Sequence, residues 1–526
     1  MVNVRAGPCR EGVIRSVRAD PDCVASQRKW ILAAAIVGST IAYLDESVMD
    51  VALPAIQADL KTSVAVIQWI VNAYMLFLTA LLLIGGAAGD RFGRRRVFVI
   101  GLGVFAAASV WCGFAQSVTQ LIVARAVQGI GAALLIPCSL AIIGAAFDEA
   151  ERGKAIGTWA GFSAIGAALG PLLGGFIVDH LNWRLIFLIN PLVALPAIWL
   201  ALRHVPESYD KETTKGVDWV GGLLVLAGLG SLVFGFIASS DFGWASSTVL
   251  GSIAIGSLLL ALFVWTERYS RAPMMPLGLF RSRTFNAANL LTLVLYAALG
   301  GAFFFLAFQL IQVHGYSATL TGAVFLPFTL IMGGLSRWSG GLLNRAGGRW
   351  LVIIGPAIAA FGFGLLAVPG TGGSYWATFF LPMVALGIGM ALSVAPLTTS
   401  VINAVPTDRA GLASGFNNAI ASVGSLLAVA VLGAVALGVF HRNLDRGLET
   451  QNVSAEVRRA VDDTRGKFVI EPALETLRGE DRQIAEALLK ESLASGIRLA
   501  MVLAALLALA GAAFAALAIG SGTRRS

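Results

Sequence analysis

The stretch Gly86–Arg95 (GAAGDRFGRR) separates two long apolar segments of the chain. A related stretch, Gly340–Arg349 (GGLLNRAGGR), separates two other apolar segments further along. Matching positions in the two stretches differ by a constant 254 residues, as 340 − 86 and 347 − 93 show. Two equivalent polar connections in an otherwise apolar chain predict an internal duplication, which is how many two-half membrane proteins are built.

Composition places the protein in a membrane. Of its 526 residues, 57% are hydrophobic and only 13% are charged, whereas a soluble domain carries about 25% charged residues. The runs Val97–Phe114 and Met501–Ile519 contain no acidic or basic residue. Because ~18 such residues suffice to cross a bilayer, these runs predict membrane-spanning helices. We therefore expect an all-α membrane protein.

Reading apolar runs between charged, Gly and Pro residues predicts fourteen spans, six in each repeat and two inserted between the repeats. Their predicted limits are 30–52, 66–88, 96–115, 119–146, 153–178, 184–203, 219–238, 247–266, 287–311, 318–342, 350–369, 376–402, 408–440 and 497–520.

Charge asymmetry between the loops predicts the orientation. Loops after even-numbered spans hold most of the arginines, whereas the short loops after odd-numbered spans hold almost none. The positive-inside rule then places both termini in the cytoplasm of a multi-pass protein of the cell membrane. The long loop 441–495 lies outside in this topology. We expect it to form a solvated helical hairpin that caps the outer mouth, with a partner-binding role as the alternative.

The predicted domain organisation follows from these spans and loops. It comprises an Arg-rich cytoplasmic tail without features of a cleavable signal (1–29), an N-terminal six-helix bundle (30–203), a linker with spans 7 and 8 (204–285), a C-terminal six-helix bundle that includes loop 441–495 (286–520), and a short cytoplasmic tail (521–526).

Several functions are disfavoured by the sequence. The net charge of +8 lies in short loops, where it is an orientation signal and not a nucleic-acid surface. No GxxxxGK[ST] phosphate loop is present, which argues against ATP as the energy source. The four cysteines and four histidines lack metal-ligand spacing, so we expect no metal and no cofactor.

Four motifs combine polar or small residues with membrane-spanning segments. The first is the connection that contains Gly86, Asp90, Arg91, Gly93, Arg94 and Arg95, where a carboxylate beside a helix end and an arginine cluster can form a latch. The second contains Arg125 in span 4. The third is the series Gly157, Gly166, Gly170, Pro171, Gly174 and Gly175 in span 5. The fourth, in span 1, contains Asp45, Glu46 and Asp50.

Together these motifs resemble the fourteen-span drug:proton antiporter branch of the major facilitator superfamily, the EmrB/QacA-like group, over nearly all of residues 30–519. The resemblance implies a major facilitator fold with two six-helix bundles plus two inserted helices. It implies a gating role for the Gly86–Arg95 connection and assigns the span 5 glycines to an antiporter signature. In the second copy Asn344 replaces the acid, so its latch is expected to be weaker.

The function implied is proton-coupled efflux of lipophilic, cationic drugs, dyes or toxic metabolites, driven by the proton gradient, by a monomer in the lipid bilayer. The alternatives are a major facilitator protein that exports a lipid, a siderophore or another endogenous metabolite, or one that takes up its substrate. A membrane enzyme or a respiratory proton-pump subunit is a third class, disfavoured because all seven lysines lie outside spans or at their edges. Candidate residues for the substrate pocket are Tyr43, Asp50, Trp69, Tyr74, Tyr296 and Phe304.

Asp45 and Arg125 are predicted to form a coupled pair at the proton site. If span 1 ends near Ala52 and span 4 begins near Thr119, the two residues lie about 10 Å and 9 Å below the outer surface at ~1.5 Å per residue. Opposite charges at equal depth compensate each other's burial, which would otherwise be costly. Glu46, the next residue of span 1, is the alternative carrier of the proton.

Overall fold

The structure, a computed structural model, describes residues 21–209, 216–270, 273–346, 348–405, 410–450, 453–462, 470, 474 and 477–518. Its regular elements in these residues are helices. They are α1 (Pro21–Leu60), α2 (Val64–Phe92), α3 (Arg94–Gly113), α4 (Val118–Ala146), α5 (Glu149–His180), α6 (Leu185–His204), α7 (Trp219–Phe242), α8 (Ser247–Tyr269), α9 (Arg283–Phe308), α10 (Ala318–Val324), α11 (Leu326–Ala346), α12 (Gly348–Leu366), α13 (Leu381–Asn403), α14 (Ala410–Thr450), α15 (Ala455–Asp462) and α16 (Gly479–Ala518). Single short turns of other helix types cover Leu277–Arg281, Gln309–Val313 and Trp376–Phe380.

The number of membrane crossings agrees with the sequence prediction. Among the described residues, thirteen helical segments are long and apolar enough to cross a membrane, and α12 is a shorter apolar helix. One of the thirteen is formed by α10 together with the start of α11. Adding α12 gives the fourteen crossings predicted, so the all-α fold of the membrane protein is confirmed.

Helix packing repeats between the two halves, as the duplicated connection predicts. In the first half α4 packs on α2 and α3, α1 packs on α5 and α6, and α3 packs on α6. In the second half α13 packs on α11 and α12, α9 packs on α14 and α16, and α12 packs on α16. The same five pairings therefore occur twice. The residue limits given above for the bundles stay a prediction.

Several predicted boundaries are wrong because helices continue beyond the apolar runs. Helix α1 (Pro21–Leu60) continues past the predicted span end near Ala52. The stretch Gly86–Arg95 is not a loop, since it is helical except at Gly93, where α2 passes directly into α3. Gly93 has a φ of 107°, which a residue with a side chain rarely adopts. The N-terminal tail before residue 21 lies outside the described residues, as do the side chains of Gly340–Arg349.

The predicted loop 441–495 is largely an extension of two membrane helices. Helix α14 continues to Thr450 and α16 begins at Gly479, and α15 packs on α16. A small apolar core holds this cap together, and it includes the buried side chains of Leu444, Leu448, Val457, Val461, Leu489 and Leu493. The cap also contacts the short turn that follows α9. The backbone amide of Ile470 donates to Oε1 of Gln312 in that turn (3.2 Å).

Two faces of the protein can now be named. The capped face is the one from which α14 and α16 project. The arginine-rich face is the opposite one, where α2 meets α3 and where α4 meets α5. The inserted helices α7 and α8 cross between these faces as a pair, and α7 packs against both α2 and α14. Exposed Trp219 and Trp265 lie near one end of the pair and exposed Trp244 at the other, which matches the aromatic belts of membrane proteins.

Candidate functional site

A buried ion pair lies inside the first half. Arg125 Nη1 of α4 is 2.5 Å from Asp45 Oδ2 of α1, and only 1% and 2% of the two side chains are exposed. The structure thus brings together the two residues that the sequence analysis paired. The estimate of equal depth was too simple, because α1 continues eight residues beyond Ala52 (60 − 52) before it ends.

Amide side chains of α4 and α6 complete the coordination of the Asp45 carboxylate. Gln128 Nε2 of α4 and Asn190 Nδ2 of α6 donate to Asp45 Oδ1 at 2.8 and 2.7 Å. The same two amide groups also donate to Ser109 Oγ of α3, at 2.9 and 3.3 Å. Four helices of the first half therefore meet at one carboxylate.

The guanidinium of Arg125 is likewise enclosed. It donates to Gln128 Oε1 (2.7 Å) and to the carbonyl of Ile70 (3.4 Å). The ring of Tyr74 lies 4.3 Å from the guanidinium carbon, a cation–π contact. An arginine inside a span costs at least ~2.5–3.5 kcal/mol. This arginine is compensated by a carboxylate, two acceptors and an aromatic face, so removing one partner leaves an uncompensated charge.

Glu46 is arranged differently from its neighbour. It is half-buried, and Arg125 lies near it but pairs with Asp45 instead. Tyr43 of α1 and Tyr296 of α9 lie within electrostatic range of the Glu46 carboxylate. Asp50, also half-buried, lies one turn further along α1 and within range of Glu46. Glu46 and Asp50 thus place acidic groups on the side of α1 that approaches the second half.

The remaining pocket candidates lie in packing contacts. Trp69 packs against Phe234 of the inserted helix α7, with 6.4 Å between ring centroids. Phe304 is 1% exposed and packs against Phe305 and Phe308 within the second half. Tyr74 lies beneath Arg125, as described above.

The junction of α2 and α3 at the arginine-rich face contains a second ionic network. Asp90 Oδ1 accepts a hydrogen bond from Arg94 Nε (2.8 Å) and lies 2.7 Å from Arg94 Nη2. The candidate latch acid is therefore paired across the Gly93 turn within its own half. Gly86 packs against Pro137 of α4, and the guanidinium of Arg91 lies 5.6 Å from the Phe92 ring.

Glu207, which the sequence analysis did not select, binds the start of α3. Its carboxylate accepts from the backbone amides of Arg95 (2.9 Å) and Arg96 (3.2 Å) and lies 3.7 Å from Arg95 Nε. A carboxylate at a helix N-terminus is favourable because the amides there have no helical partner. A side chain at Gly93 would collide with Glu207.

The span 5 glycines serve two different contacts. A Cβ at Gly166, Gly170 or Gly174 would meet Thr40, Ser47 or Val48 of α1. A Cβ at Gly175 would meet the Ala318 carbonyl of α10, in the other half. Pro171 also contacts the other half, since its carbonyl lies where a Gly322 side chain would be. Gly157, by contrast, is exposed with open space around it.

At the capped face, polar bonds join the two halves. Asp179, at the end of α5, accepts from the backbone amides of Ala318 (2.9 Å) and Thr319 (2.7 Å) at the start of α10. Gln68 of α2 donates to the carbonyl of Val429 of α14 (2.9 Å). These contacts close the capped face, and neither residue was selected from the sequence.

Two repeated helical halves that are joined at one face, with a buried ion pair inside the first of them, define a multi-pass membrane transporter of small molecules. Residues 35–429 match the family described as the Major Facilitator Superfamily, and the chain belongs to that family. The multidrug resistance protein Stp of Mycobacterium tuberculosis is 35% identical over 422 residues, which cover 80% of this chain and 78% of Stp. The tetracenomycin C resistance and export protein of Streptomyces glaucescens is 32% identical, covering 93% and 91% of the two chains.

Solved structures agree on the fold. A bacterial homologue of the human lysosomal transporter Spinster, solved in an inward-facing, unoccupied conformation, superimposes with a TM-score of 0.66 at 20% identity. The match covers 94% of this chain and 97% of that one. At this identity the similarity extends to the fold alone.

The glycine contacts of α5 lead to a paired prediction about stability. Gly170→Ala should lower the stability of the purified protein by about 1–3 kcal/mol, because the new methyl group overpacks the α1 contact. Gly157→Ala, its matched control in the same helix, should leave the melting temperature unchanged or slightly higher. Thermal unfolding in detergent measures both, and equal melting temperatures would contradict the packing described.

The Asp179 contact leads to a prediction about conformation. Asp179→Ala should open the capped face, because two charge-assisted hydrogen bonds worth about 1.5–3 kcal/mol each are lost there. Spin labels on Lys61→Cys and Gly372→Cys, in a background without native cysteines, should report a longer distance. Asp59→Ala is the control, since Asp59 pairs with Arg184 of the same half. An unchanged distance distribution in Asp179→Ala would show that this bond does not hold the face closed.

Proposed function

We propose that this transporter exports lipophilic, cationic drugs, dyes or toxic metabolites in exchange for protons. The observation that supports it most strongly is the buried Asp45–Arg125 pair, with the half-buried Glu46 beside it on the same helix. Glu46 lies on the side of α1 that approaches the second half, so movement of the halves changes its surroundings and, with them, the proton affinity of its carboxylate. The proton gradient is then the only energy source needed, and a monomer suffices.

The proposed orientation places the arginine-rich face in the cytoplasm of a cell-membrane protein. Arg91, Arg94, Arg95 and Arg96 cluster at this face, which the positive-inside rule assigns to the cytoplasm. The capped face then lies outside, and with Asp179 and Gln68 holding it closed the described conformation faces inward.

One observation favours export of drugs and a second favours cations. Relatives of this chain carry names that specify multidrug, tetracenomycin C and puromycin resistance, the last a protein of Streptomyces alboniger 36% identical over 418 residues. Glu46 and Asp50 add two acidic groups to α1 where it approaches the second half. An acidic lining in an apolar surrounding favours lipophilic cations, because buried carboxylates without a partner are costly.

The exchange follows from competition for the same acidic groups. In the inward-facing state a cation entering beside Glu46 stabilises the ionised carboxylates and displaces a proton. After the halves rearrange, protons from the more acidic outside neutralise the site and weaken binding of the cation. Arg125 prevents Asp45 from remaining charged without a counter-ion in either state.

The networks at the arginine-rich face fit a gating role. Asp90 binds Arg94 and Glu207 binds the start of α3, so both acids are engaged within the first half in this conformation. Closure of this face would bring the second half onto the same charges. The motif residues Gly86, Arg91, Gly93 and Arg95 shape and surround this junction.

Export of a lipid, a siderophore or another endogenous metabolite by the same fold is the second candidate. A relative named as a cephamycin export protein, from Amycolatopsis lactamdurans, is 35% identical over 406 residues. A substrate panel separates the candidates, since the primary proposal requires efflux of cations such as ethidium or tetraphenylphosphonium.

Inverted membrane vesicles test the energy source. Acidifying the vesicle lumen should drive uptake of ethidium, because the lumen corresponds to the outside of the cell. A protonophore should abolish this uptake, and removing ATP should not affect it while the gradient is held. Uptake that resists the protonophore but stops without ATP would overturn proton coupling.

Single substitutions test the proton site. Asp45→Asn should abolish proton-coupled uptake, since the buried Arg125 loses its counter-charge and the site its titratable group. Asp59→Asn is the control, because Asp59 is an exposed acid of the same helix. Glu46→Gln is measured in parallel. If Glu46→Gln loses coupling while Asp45→Asn keeps it, Glu46 carries the proton, and if both keep coupling the α1 site is wrong.

A further inference from the structure

One face of α5 is buried against the second half near the capped face and is exposed nearer the arginine-rich face. Near the capped face it touches the second half through Pro171 and Gly175, which lie against Gly322 and Ala318 of α10. Eleven residues make about three helical turns, so Ala160 lies on the same face as Pro171 (171 − 160), some 16 Å nearer the arginine-rich face. Ala160 is exposed, as are Gly157 and Ala164 of this face.

The partner helix shows the same change. Gly333 lies eleven residues after Gly322 (333 − 322), and Phe325 between them keeps a helical backbone (φ −77°, ψ −15°). Gly333 therefore lies on the face that contacts Pro171 near the capped end. It is exposed, and a Cβ there would have no neighbour within 4 Å. Helices α5 and α11 thus touch near the capped face and separate toward the arginine-rich face.

The halves also meet where α2 packs against α14, on the opposite side of the protein. This second seam between the halves is closed over a greater length than the contact of α5 with α10 and α11. Gln68 binds Val429 near the capped face. A Cβ at Gly415 would lie 3.5 Å from Leu83 Cδ2, and Leu83 is 15 residues nearer the other face on α2 (83 − 68). The inserted helix α7 packs across α2 and α14 at this seam. Its Gly222 lies against Ile84 of α2. Lipid therefore meets an inserted helix on this side and a gap on the other.

The gap has the chemistry of the membrane interior. Its exposed residues near the separation, which are Gly157, Ala160, Gly161, Ala164, Leu330 and Gly333, carry no charge and no polar side chain. Charged residues of α5 begin only at Lys154, toward the end of the helix. A molecule in this gap would move from hydrocarbon toward the acidic side of α1, because α5 packs along α1.

We propose that the gap between α5 and α11 is the entrance through which amphipathic cations pass from the adjacent membrane leaflet to the acidic groups of α1. This inference rests on the proposed function, from which it takes the class of substrate and the cytoplasmic side of the leaflet. It adds the route, and it gives the inserted helices a role: they restrict lateral entry to one seam.

A series of alkyltriphenylphosphonium cations tests the route, because chain length changes membrane partitioning while the charged group stays the same. In inverted vesicles, the KM expressed as aqueous concentration should fall as the chain lengthens from methyl to decyl. Gly333→Trp and Ala160→Trp should raise the KM of the long-chain members severalfold, because the indole fills the gap. They should leave the KM of the methyl compound nearly unchanged.

Matched controls separate the route from general damage. Gly103→Trp places the same side chain on an exposed glycine of α3 that also has no neighbour within 4 Å, and it should change no KM. Gly333→Leu is a smaller variant for the case that Gly333→Trp does not fold, and it should give an intermediate shift.

Two results would overturn the proposal, and they differ from each other. If wild-type protein exports the whole series but Gly333→Trp, Gly333→Leu and Ala160→Trp leave every KM unchanged, or shift methyl and decyl compounds equally, substrates do not enter through this gap. If wild-type protein exports no member of the series, the proposed function fails, and the entrance for cations fails with it.

Discussion

The structure depends on keeping one arginine charged inside a membrane-spanning helix. The charge of Arg125 is compensated by Asp45 of α1 and by Gln128 of its own helix α4. Helix α2 adds the Ile70 carbonyl and the Tyr74 ring. Asp45 in turn needs Asn190 of α6. Because removing one partner of a buried ion pair typically costs about 3–5 kcal/mol, these four helices are held in fixed relative positions by one site. The first half is therefore expected to move as a rigid unit.

The second half repeats the packing of the first, but none of its described residues is a buried charged side chain. Helices α9 and α14, which correspond to α1 and α5, meet at a neutral cluster, in which Asn417 Nδ2 donates to Asn289 Oδ1 (3.1 Å) and to Thr292 Oγ1 (2.8 Å). A neutral amide cluster holds helices together but does not respond to protons. Under the proposed function the duplication separates two tasks, since the proton-sensitive groups lie in one half and the other supplies the surface against which it moves.

The sequence was sufficient for the features that arise from periodicity and composition. Fourteen apolar runs and a repeated connection predicted the membrane helices, and the cost of burying charge predicted the Asp45–Arg125 pair. Glu207 and Asp179 were missed because each binds backbone amides, which every residue has and no motif marks. Helix ends at Leu60 and Thr450 were missed for a related reason: a helix continues outside the membrane as long as its backbone bonds and neighbours permit, whereas hydropathy registers only the apolar part. The position of Trp69 against the inserted helix depends on how α7 docks, which no local pattern specifies.

The contacts that close the capped face explain how a protein with so rigid a first half can still alternate between states. At Gly175 and Gly322 the two halves meet backbone against backbone, so no side chains interlock and little has to be repacked when they part. The closure then depends on a few directional bonds from Asp179 and Gln68. Changing a two-state ratio from 1:99 to 99:1 requires only about 5.5 kcal/mol, comparable to two charge-assisted hydrogen bonds. The acidic site on α1 is connected to these bonds, because α1 forms the Gly170 and Gly174 contacts with α5 and α5 carries Asp179 at its end. The free energy gained when this site is occupied is therefore of the magnitude needed to shift the balance between the two states. In the proposed mechanism, glycine packing keeps the barrier between the two states low, and the charges decide which side is open.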